Sequence, residues 1–437
     1  MAVETSSEEK KLLMVAYYLP PTKTVATLRI FNFHFEAKKC FSEIHAITTS
    51  NRDLFQKENY PFDDSNTSVI STWDIRRFLI KRNDASPGLK GSDKNSFIFR
   101  NFTKLAHSFP FNILLADGSL IYILKGYSTS KKQIKQNKIN YIFSSYKPFA
   151  DHLVCYLLKK WDPNLFWIAD YRDLHVDEVR KNVFLPRLQL WFNRKILKKA
   201  NIVTTVSDGL ANSLNKLHPD VYVLKNGISI LNQTDIHFNP FEKFTISYTG
   251  SLYEGQRNPE VLFKTIQGLI NDKKIESNHL NIIYAGNDKE LWTKWLKKYA
   301  LEKIGTCHDS LPFEESLKIQ KRSQINLLLT WASPTTQGVL TAKFYEYVAA
   351  KNPILTIING TQDHEFEKIF QAFSEGVVAY NNTSSKEDLE TFVFNLYNKW
   401  KNNQVVKNEI HPDYLKYFYW EAMMPPFLDY IFQKKKN

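Results

Sequence analysis

The sequence predicts an α/β chain built from two doubly wound Rossmann-like domains facing each other across a cleft. Three observations carry that expectation. Strand and helix patterns alternate along the chain twice over, the 437 residues exceed what a single core usually holds, and a polar, irregular stretch separates the two series.

In the first series, Leu12-Leu-Met-Val-Ala-Tyr-Tyr reads as a buried parallel strand entering a loop at Pro20-Pro21, and the pattern from Leu28 to Phe41 reads as a helix. Strands follow at 44–48, 141–145, 166–170, 202–206 and 221–224, with helical stretches such as 151–160 and 186–199 between them. The second series opens at Phe244-Thr-Ile-Ser-Tyr-Thr-Gly and continues through strands at 280–285, 325–330 and 353–358. The boundary falls between Gly227 and Phe244, where Asn226-Gly227 makes a turn. The expected domains are therefore 1–230 and 231–410. Residues 411–437, rich in aromatics and broken by Pro425-Pro426, form a terminal helical segment expected to pack back toward the N-terminal domain.

Segment 51–138 carries the weakest pattern. Within it, Phe111-Asn-Ile-Leu-Leu-Ala-Asp-Gly-Ser-Leu-Ile-Tyr-Ile-Leu is apolar enough for a membrane surface, a buried helix or a strand pair, with burial favoured.

Composition narrows the class. No uninterrupted apolar run approaches the ~18 residues of a membrane span, and the polar, acidic start is unlike a secretory signal, so a cytoplasmic protein is expected. Cys40, Cys155 and Cys307 lie far apart without a CxxC pair, which argues against a disulfide framework or a zinc site. The net charge of +13 is all in one half: residues 1–230 hold 34 Lys and Arg against 21 Asp and Glu, and the remainder holds 24 of each. That asymmetry suits a first domain facing an anionic partner, although many cytoplasmic proteins are simply basic.

The most informative stretch is 338–355. Lys343 and Glu346 are three apart on a helix that Thr341 is placed to cap and Pro353 ends. Such a pair is often a solvated surface pair. Here the helix also opens on free N–H groups that favour an anion, Lys343 adds a charge, and Glu346 can accept hydrogen bonds from paired sugar hydroxyls, which describes a nucleotide-sugar pocket. Gly250 and Ser251 close the first strand of the second series, where small residues let backbone N–H groups approach a phosphate, and Arg257 follows in the same loop. Arg257 and Lys343 together can neutralise a diphosphate. In the first domain, Asp173 can position or deprotonate an acceptor hydroxyl, Arg172 can orient that carboxylate or bind a phosphate, and His175 is a further catalytic candidate. Pro21, Lys23 and Arg29 are expected to overlook the cleft from the acceptor side. No carboxylate or histidine cluster has metal-ligand spacing, so no metal is expected.

Tyr18-Leu-Pro-Pro, Trp167-Ile-Ala-Asp-Tyr-Arg-Asp, Thr204-Thr-Val-Ser, Leu224-Lys-Asn-Gly, Tyr248-Thr-Gly-Ser-Leu and the Lys343/Glu346 helix occur in one order. In these the chain resembles the GT-B glycosyltransferases, most closely the family 4 type that builds bacterial surface polysaccharides such as lipopolysaccharide and capsule. The resemblance spans nearly the whole chain, more thinly over 51–138. It implies metal-independent transfer, without a cofactor, of a sugar from a nucleotide-diphosphate sugar to a glycan or polyprenyl-diphosphate-linked acceptor. It also implies that the glycine loop and a basic residue hold the pyrophosphate, that Glu346 binds the ribose, and that Val339 and Leu340 belong to the donor-binding set. Two departures stand out. Ser251 occupies a position where many relatives have arginine, and Gly338 one where many have a glutamate that contacts the transferred sugar.

An acceptor at the inner face of a membrane would account for both the charge division and the apolar stretch near Phe111, with the enzyme cytoplasmic and peripheral on that surface. The alternatives are an epimerase of the same fold, for which acids and histidines in the second domain are too scattered, and a nucleic-acid-binding protein. The basic residues are dispersed and match no nucleic-acid motif, so no nucleic-acid partner is expected.

Overall fold

The computed structural model describes residues 9–72, 101, 104–114, 119–176, 182–229, 238–253, 255–333, 337–338, 340–381 and 386–436. The chain forms two compact units, residues 1–225 with 420–437, and residues 226–419. Residues 411–419 thus stay with the second unit and only the last helix belongs to the first.

The first unit is a parallel sheet of β1 (Lys11–Val15), β2 (Glu43–Thr49), β3 (Thr67–Ile70), β4 (Tyr141–Tyr146), β5 (Phe166–Tyr171), β6 (Ile202–Thr205) and β7 (Val221–Val223), in the order β3-β2-β1-β4-β5-β6-β7. Its helices are α1 (Val25–Ala37), α2 (Ser119–Asn137), α3 (Phe149–Trp161), α4 (Pro186–Leu197) and α5 (Asp208–Leu214). The second unit has β8 (Phe244–Thr249), β9 (Leu280–Ala285), β10 (Gly305–His308), β11 (Ile325–Ala332), β12 (Ile354–Gly360) and β13 (Gly376–Tyr380), in the order β10-β9-β8-β11-β12-β13. Around them lie α6 (Glu260–Asn271), α7 (Lys289–Lys298), α8 (Phe313–Arg322), α9 (Ala342–Ala350), α10 (His364–Phe370) and α11 (Lys386–Lys401), and α12 (Trp420–Lys436) closes the chain. Each order reverses once, between β1 and β4 and between β8 and β11, which is the doubly wound pattern.

The burial explains why these strands are continuous apolar runs. Side chains alternate across a strand, and both faces of the first sheet are covered, so Leu13, Val15 and Tyr17 pack into one core while Leu12, Met14 and Ala16 pack into the other. β8 behaves differently. Phe244, Ile246 and Tyr248 enter an apolar core, whereas the alternate residues Thr245, Ser247 and Thr249 are buried polar groups. That polar row leads to the carboxyl end of β8.

Three local expectations change. The first helix begins at Val25, because Thr24 takes the cap position and its hydroxyl accepts from the Thr27 N–H. The stretch 111–124 is partly a helical turn, Phe111–Leu114, and partly the start of α2, where Tyr122 and Ile123 are buried while Leu120, Ile121 and Leu124 are exposed. It is neither fully buried nor a strand pair among the described residues. Pro425 and Pro426 do not break the last helix, since α12 runs through both. Each interior proline costs about 3 kcal/mol. Trp420, Met423, Met424, Phe427, Leu428, Ile431 and Phe432 are buried in the first unit's core, and burying such side chains contributes roughly 1.5–3 kcal/mol apiece.

Candidate functional site

In the second unit, Gly250, Ser251, Arg257, Lys343 and Glu346 gather around the carboxyl end of β8. The Gly250 N–H donates to the Ala285 carbonyl at 2.8 Å, bringing the turns after β8 and β9 together. A Cβ at Gly286 would lie 2.1 Å from the Gly250 carbonyl oxygen, so only glycine permits this approach. Ser251 is engaged within the loop: its hydroxyl donates to Asp288 Oδ2 at 2.9 Å, and the Leu252 N–H donates to the same oxygen at 2.7 Å. The serine therefore anchors the turn.

Arg257 lies beneath that turn, only 8% exposed. Its Nη1 donates to the Ser251 carbonyl at 3.1 Å, and its guanidinium lies 4.4 Å from the Tyr253 ring centre and 5.4 Å from that of Trp331. Its Nε is buried without a hydrogen-bond partner. A buried donor without a partner carries a desolvation cost that a ligand oxygen would remove.

Lys343 and Glu346 are not a solvated surface pair. Lys343 Nζ lies 2.7 Å from Glu346 Oε2, and the glutamate side chain is 8% exposed. The same oxygen accepts from Gln320 Nε2 at 2.9 Å, and that nitrogen also donates to Thr249 Oγ1 at 2.9 Å. A hydrogen-bonded chain thus runs from α9 through α8 to the end of β8, with Gln320 Oε1 buried and unpartnered beside it. Thr341 takes the N-cap conformation of α9 but its side chain makes no capping bond, and the first turn holds no acid. The helix therefore presents uncapped N–H groups beside Lys343. Tyr347 Oη accepts from the Thr249 N–H at 3.4 Å, and burial pushes its phenol up to about 12.

Gly338 sits at φ +67°, and a Cβ there would lie 1.9 Å from the Glu365 carboxyl carbon. The half-buried Glu365 carboxylate therefore occupies the space beside residue 338. The Gly338 N–H is held by both oxygens of Asp363, at 3.0 and 2.9 Å, and Asp363 also caps α10 through the Phe366 N–H. Leu340 is packed into the apolar cluster around Phe344, so its side chain has a structural role. Val339 lies outside the described residues.

In the first unit, Asp173 follows β5 and is exposed, and Arg172 is half-buried. Arg172 Nη2 donates to the Lys147 carbonyl at 3.0 Å, so the guanidinium is partly committed to the loop after β4, while its Nε is buried and unpartnered. His175 is 3% exposed, and neither ring nitrogen makes a well-formed hydrogen bond, with the Gln189 side chain nearby. Burial lowers its pKa to about 4, leaving a neutral imidazole near pH 7.

The acceptor-side expectation changes at Arg29. It lies within α1, 4% exposed, and donates to Asp170 through Nη2 at 2.7 Å and Nε at 3.1 Å. Ser145 and Thr204 hydroxyls each donate to Asp170 at 2.8 Å. Burial opposes ionisation of Asp170, but the Arg29 charge and these hydrogen bonds outweigh it and hold the carboxyl below its ordinary value. Arg29 is thus a structural cation. The loop at Pro21 and Lys23 is pinned by the Glu58 N–H to the Pro21 carbonyl at 2.9 Å and by a Lys23–Glu58 ion pair at 2.9 Å.

Among the described residues, no group of three or more His, Cys, Asp or Glu is arranged to hold a metal ion, and no helix is long and apolar enough to cross a membrane.

Two doubly wound parallel sheets in succession define the GT-B fold. The chain is similar in structure to a glycosyltransferase from Rickettsia africae ESF-5 (TM-score 0.54, 11% identity, 98% of this chain and 100% of the other). It is similar also to the lipopolysaccharide outer core galactosyltransferase WaaB in its apo form (0.54, 12%, 97% and 99%) and to TarM (0.55, 11%, 97% and 98%). At these identities the likeness is one of fold. No protein-family model and no curated protein sequence matches the chain.

Proposed function

We propose that this protein is a GT-B glycosyltransferase of the family 4 type, moving a sugar from a nucleotide-diphosphate sugar to a glycan or lipid-linked acceptor in cell-surface polysaccharide synthesis. The observation that carries the proposal is the uncapped start of α9, with Lys343 and the buried Glu346 tied through Gln320 to the Gly250 turn. The fold shared with WaaB supports it.

In this reading the second unit binds the donor. The α9 N–H groups, Lys343 and Arg257 hold the diphosphate and stabilise the charge that develops on it as the sugar–oxygen bond breaks. Their positive charge is why no metal requirement is expected. Glu346 accepts from the ribose hydroxyls, and Glu365, beside Gly338, supplies the acid for the sugar that residue 338 does not. Asp173 is the acceptor-side base, taking the proton of the attacking hydroxyl, while Arg172 acts as a positioning residue through Lys147.

The first unit takes the acceptor and rests on the inner face of a membrane. Leu120, Ile121 and Leu124 are exposed on α2 beside exposed Lys125, Lys132 and Lys135. On α4, exposed Leu188 and Trp191 share a face with Lys195. Apolar side chains rimmed by lysines suit an anionic bilayer surface.

A thermal-shift panel of nucleoside diphosphates and nucleotide sugars tests the proposal. A specific ligand at 100-fold over its Kd stabilises the folded state by about 2.7 kcal/mol. At least one nucleoside diphosphate is expected to raise the transition of the second unit, and a flat response across the panel would sink the reading.

A further inference from the structure

A small pocket with a few polar groups in a largely apolar wall lies in the first unit, at the corner where β4 passes into α3. Its interior holds only about 10 Å3 of space open to a water-sized group, below a wider mouth, and it is lined by Asn112, Tyr146, Lys147, Phe149, Ala150 and His175 among others. Asn112 is 5% exposed, and neither its amide oxygen nor its amide nitrogen has a hydrogen-bond partner. His175 is 3% exposed, and its ring nitrogens make no well-formed hydrogen bond, although the Gln189 side chain lies close enough to interact with the ring. Two neighbouring side chains whose four polar atoms make no well-formed hydrogen bond are costly unless something fills the pocket.

The remaining walls say what that something is. Helix α3 runs 13 residues from Phe149, its cap position is Pro148, and no side chain caps its first turn, so the N–H groups at Phe149 and Ala150 face an opening that favours an anion. The one acid of that turn, Asp151, is occupied by the Tyr17 N–H at 3.0 Å and the Tyr122 hydroxyl at 2.7 Å. Lys147 brings a positive charge. Burial keeps His175 neutral, with its pKa lowered to about 4, so its imidazole offers one N–H donor and the Asn112 amide offers two more. The pocket also lies at the carboxyl end of β4, one of the two strands flanking the reversal of strand order, where open α/β sheets receive ligands.

We propose that this pocket is a phosphoryl-binding subsite, in which Asn112, His175, Lys147 and the start of α3 hold the oxygens of a phosphate group. Its narrow floor suits a single phosphoryl oxygen, with the rest of the group at the mouth. Under the glycosyltransferase reading, on which this assignment of the bearer rests, the phosphate belongs to the acceptor. The subsite itself stands without that reading.

Calorimetric titration of the full chain with inorganic phosphate and with n-hexyl phosphate tests it, using 1-hexanol as the uncharged control. The variants are Asn112→Asp, which keeps size and adds a negative charge, the more exposed Lys147→Gln, and Lys343→Ala, which removes one of the two donor-side cations. The expected result is binding of a phosphate probe by the parent and by Lys343→Ala alike, weakened about tenfold or more by Asn112→Asp and several-fold by Lys147→Gln. Equal affinity for the two probes assigns the site to a free phosphate. Tighter binding of hexyl phosphate with no binding of hexanol assigns it to a phosphate on a chain, as a lipid-linked acceptor carries. No binding of either probe, or binding indifferent to both Asn112→Asp and Lys147→Gln, overturns the proposal and leaves a pocket for water. Loss of all nucleotide binding with phosphate binding intact would fail the donor assignment and leave this subsite standing.

Discussion

Replacing Arg29 by methionine separates a structural cation from a substrate-binding one. Arg29 and Asp170 are 4% and 1% exposed, and the guanidinium meets the carboxylate at 2.7 Å. Methionine keeps much of the stem but leaves Asp170 with only the Ser145 and Thr204 hydroxyls. Removing one partner of a buried pair costs about 3–5 kcal/mol, which for a unit of this size lowers its transition by roughly 6–20 °C. The pH dependence gives a second readout. In the parent, the folded-state pKa of Asp170 is depressed, so its contribution is present above the unfolded value of about 3.9 and is lost as pH falls through the folded value. In Arg29→Met, burial dominates and raises the folded pKa, so its contribution is retained at low pH and lost as pH rises. Urea unfolding from pH 4 to 7 should therefore show a gap between parent and variant that narrows toward pH 4, and Arg29→Met/Asp170→Asn should cost less than the two single changes summed. A variant within 1 kcal/mol of the parent, or a gap that widens at low pH, refutes the structural role.

Further outcomes follow from the other parts of the structure. Glu346→Gln should weaken nucleotide binding by about tenfold through loss of a charge-assisted acceptor, measured by calorimetry. Glu365→Gln should lower kcat for sugar transfer while leaving nucleoside diphosphate affinity within twofold of the parent, roughly the scatter of a neutral surface change. Gly338→Ala should cost about 1–2 kcal/mol in urea unfolding, from placing a side chain at φ +67° and displacing the Glu365 carboxyl group. Leu120→Ser/Leu124→Ser should reduce sedimentation with anionic vesicles without changing nucleotide affinity.

Local periodicity made much of this architecture legible. Strands covered on both faces are largely apolar runs, so β1, β4 and β5 stand out, and the i, i+3 relation alone puts Lys343 and Glu346 on one helical face. What escaped the sequence depends on contacts distant along the chain. Arg29 meets Asp170 across 141 positions, so nothing beside Arg29 marks it as buried. Gln320 sits in an ordinary amphipathic helix, and only the folded chain reveals that it bridges Glu346 to Thr249. Glu365 is 27 residues beyond Gly338, and its carboxylate reaches the space over the glycine because Asp363 joins the two segments. The two prolines of α12 are misleading for a related reason: local propensity favours a break, and core burial on both sides of the prolines overrides it.

In the proposed reading, the second unit holds a nucleoside diphosphate between α9 and the Gly250 turn. Titration of the parent, Arg257→Ala and Lys343→Ala with the nucleoside diphosphate selected by the panel tests it most directly. Losing one charge-assisted contact of 1.5–3 kcal/mol predicts that each variant binds about 10–150-fold more weakly. Unchanged affinity in both variants would mean that the nucleotide binds elsewhere.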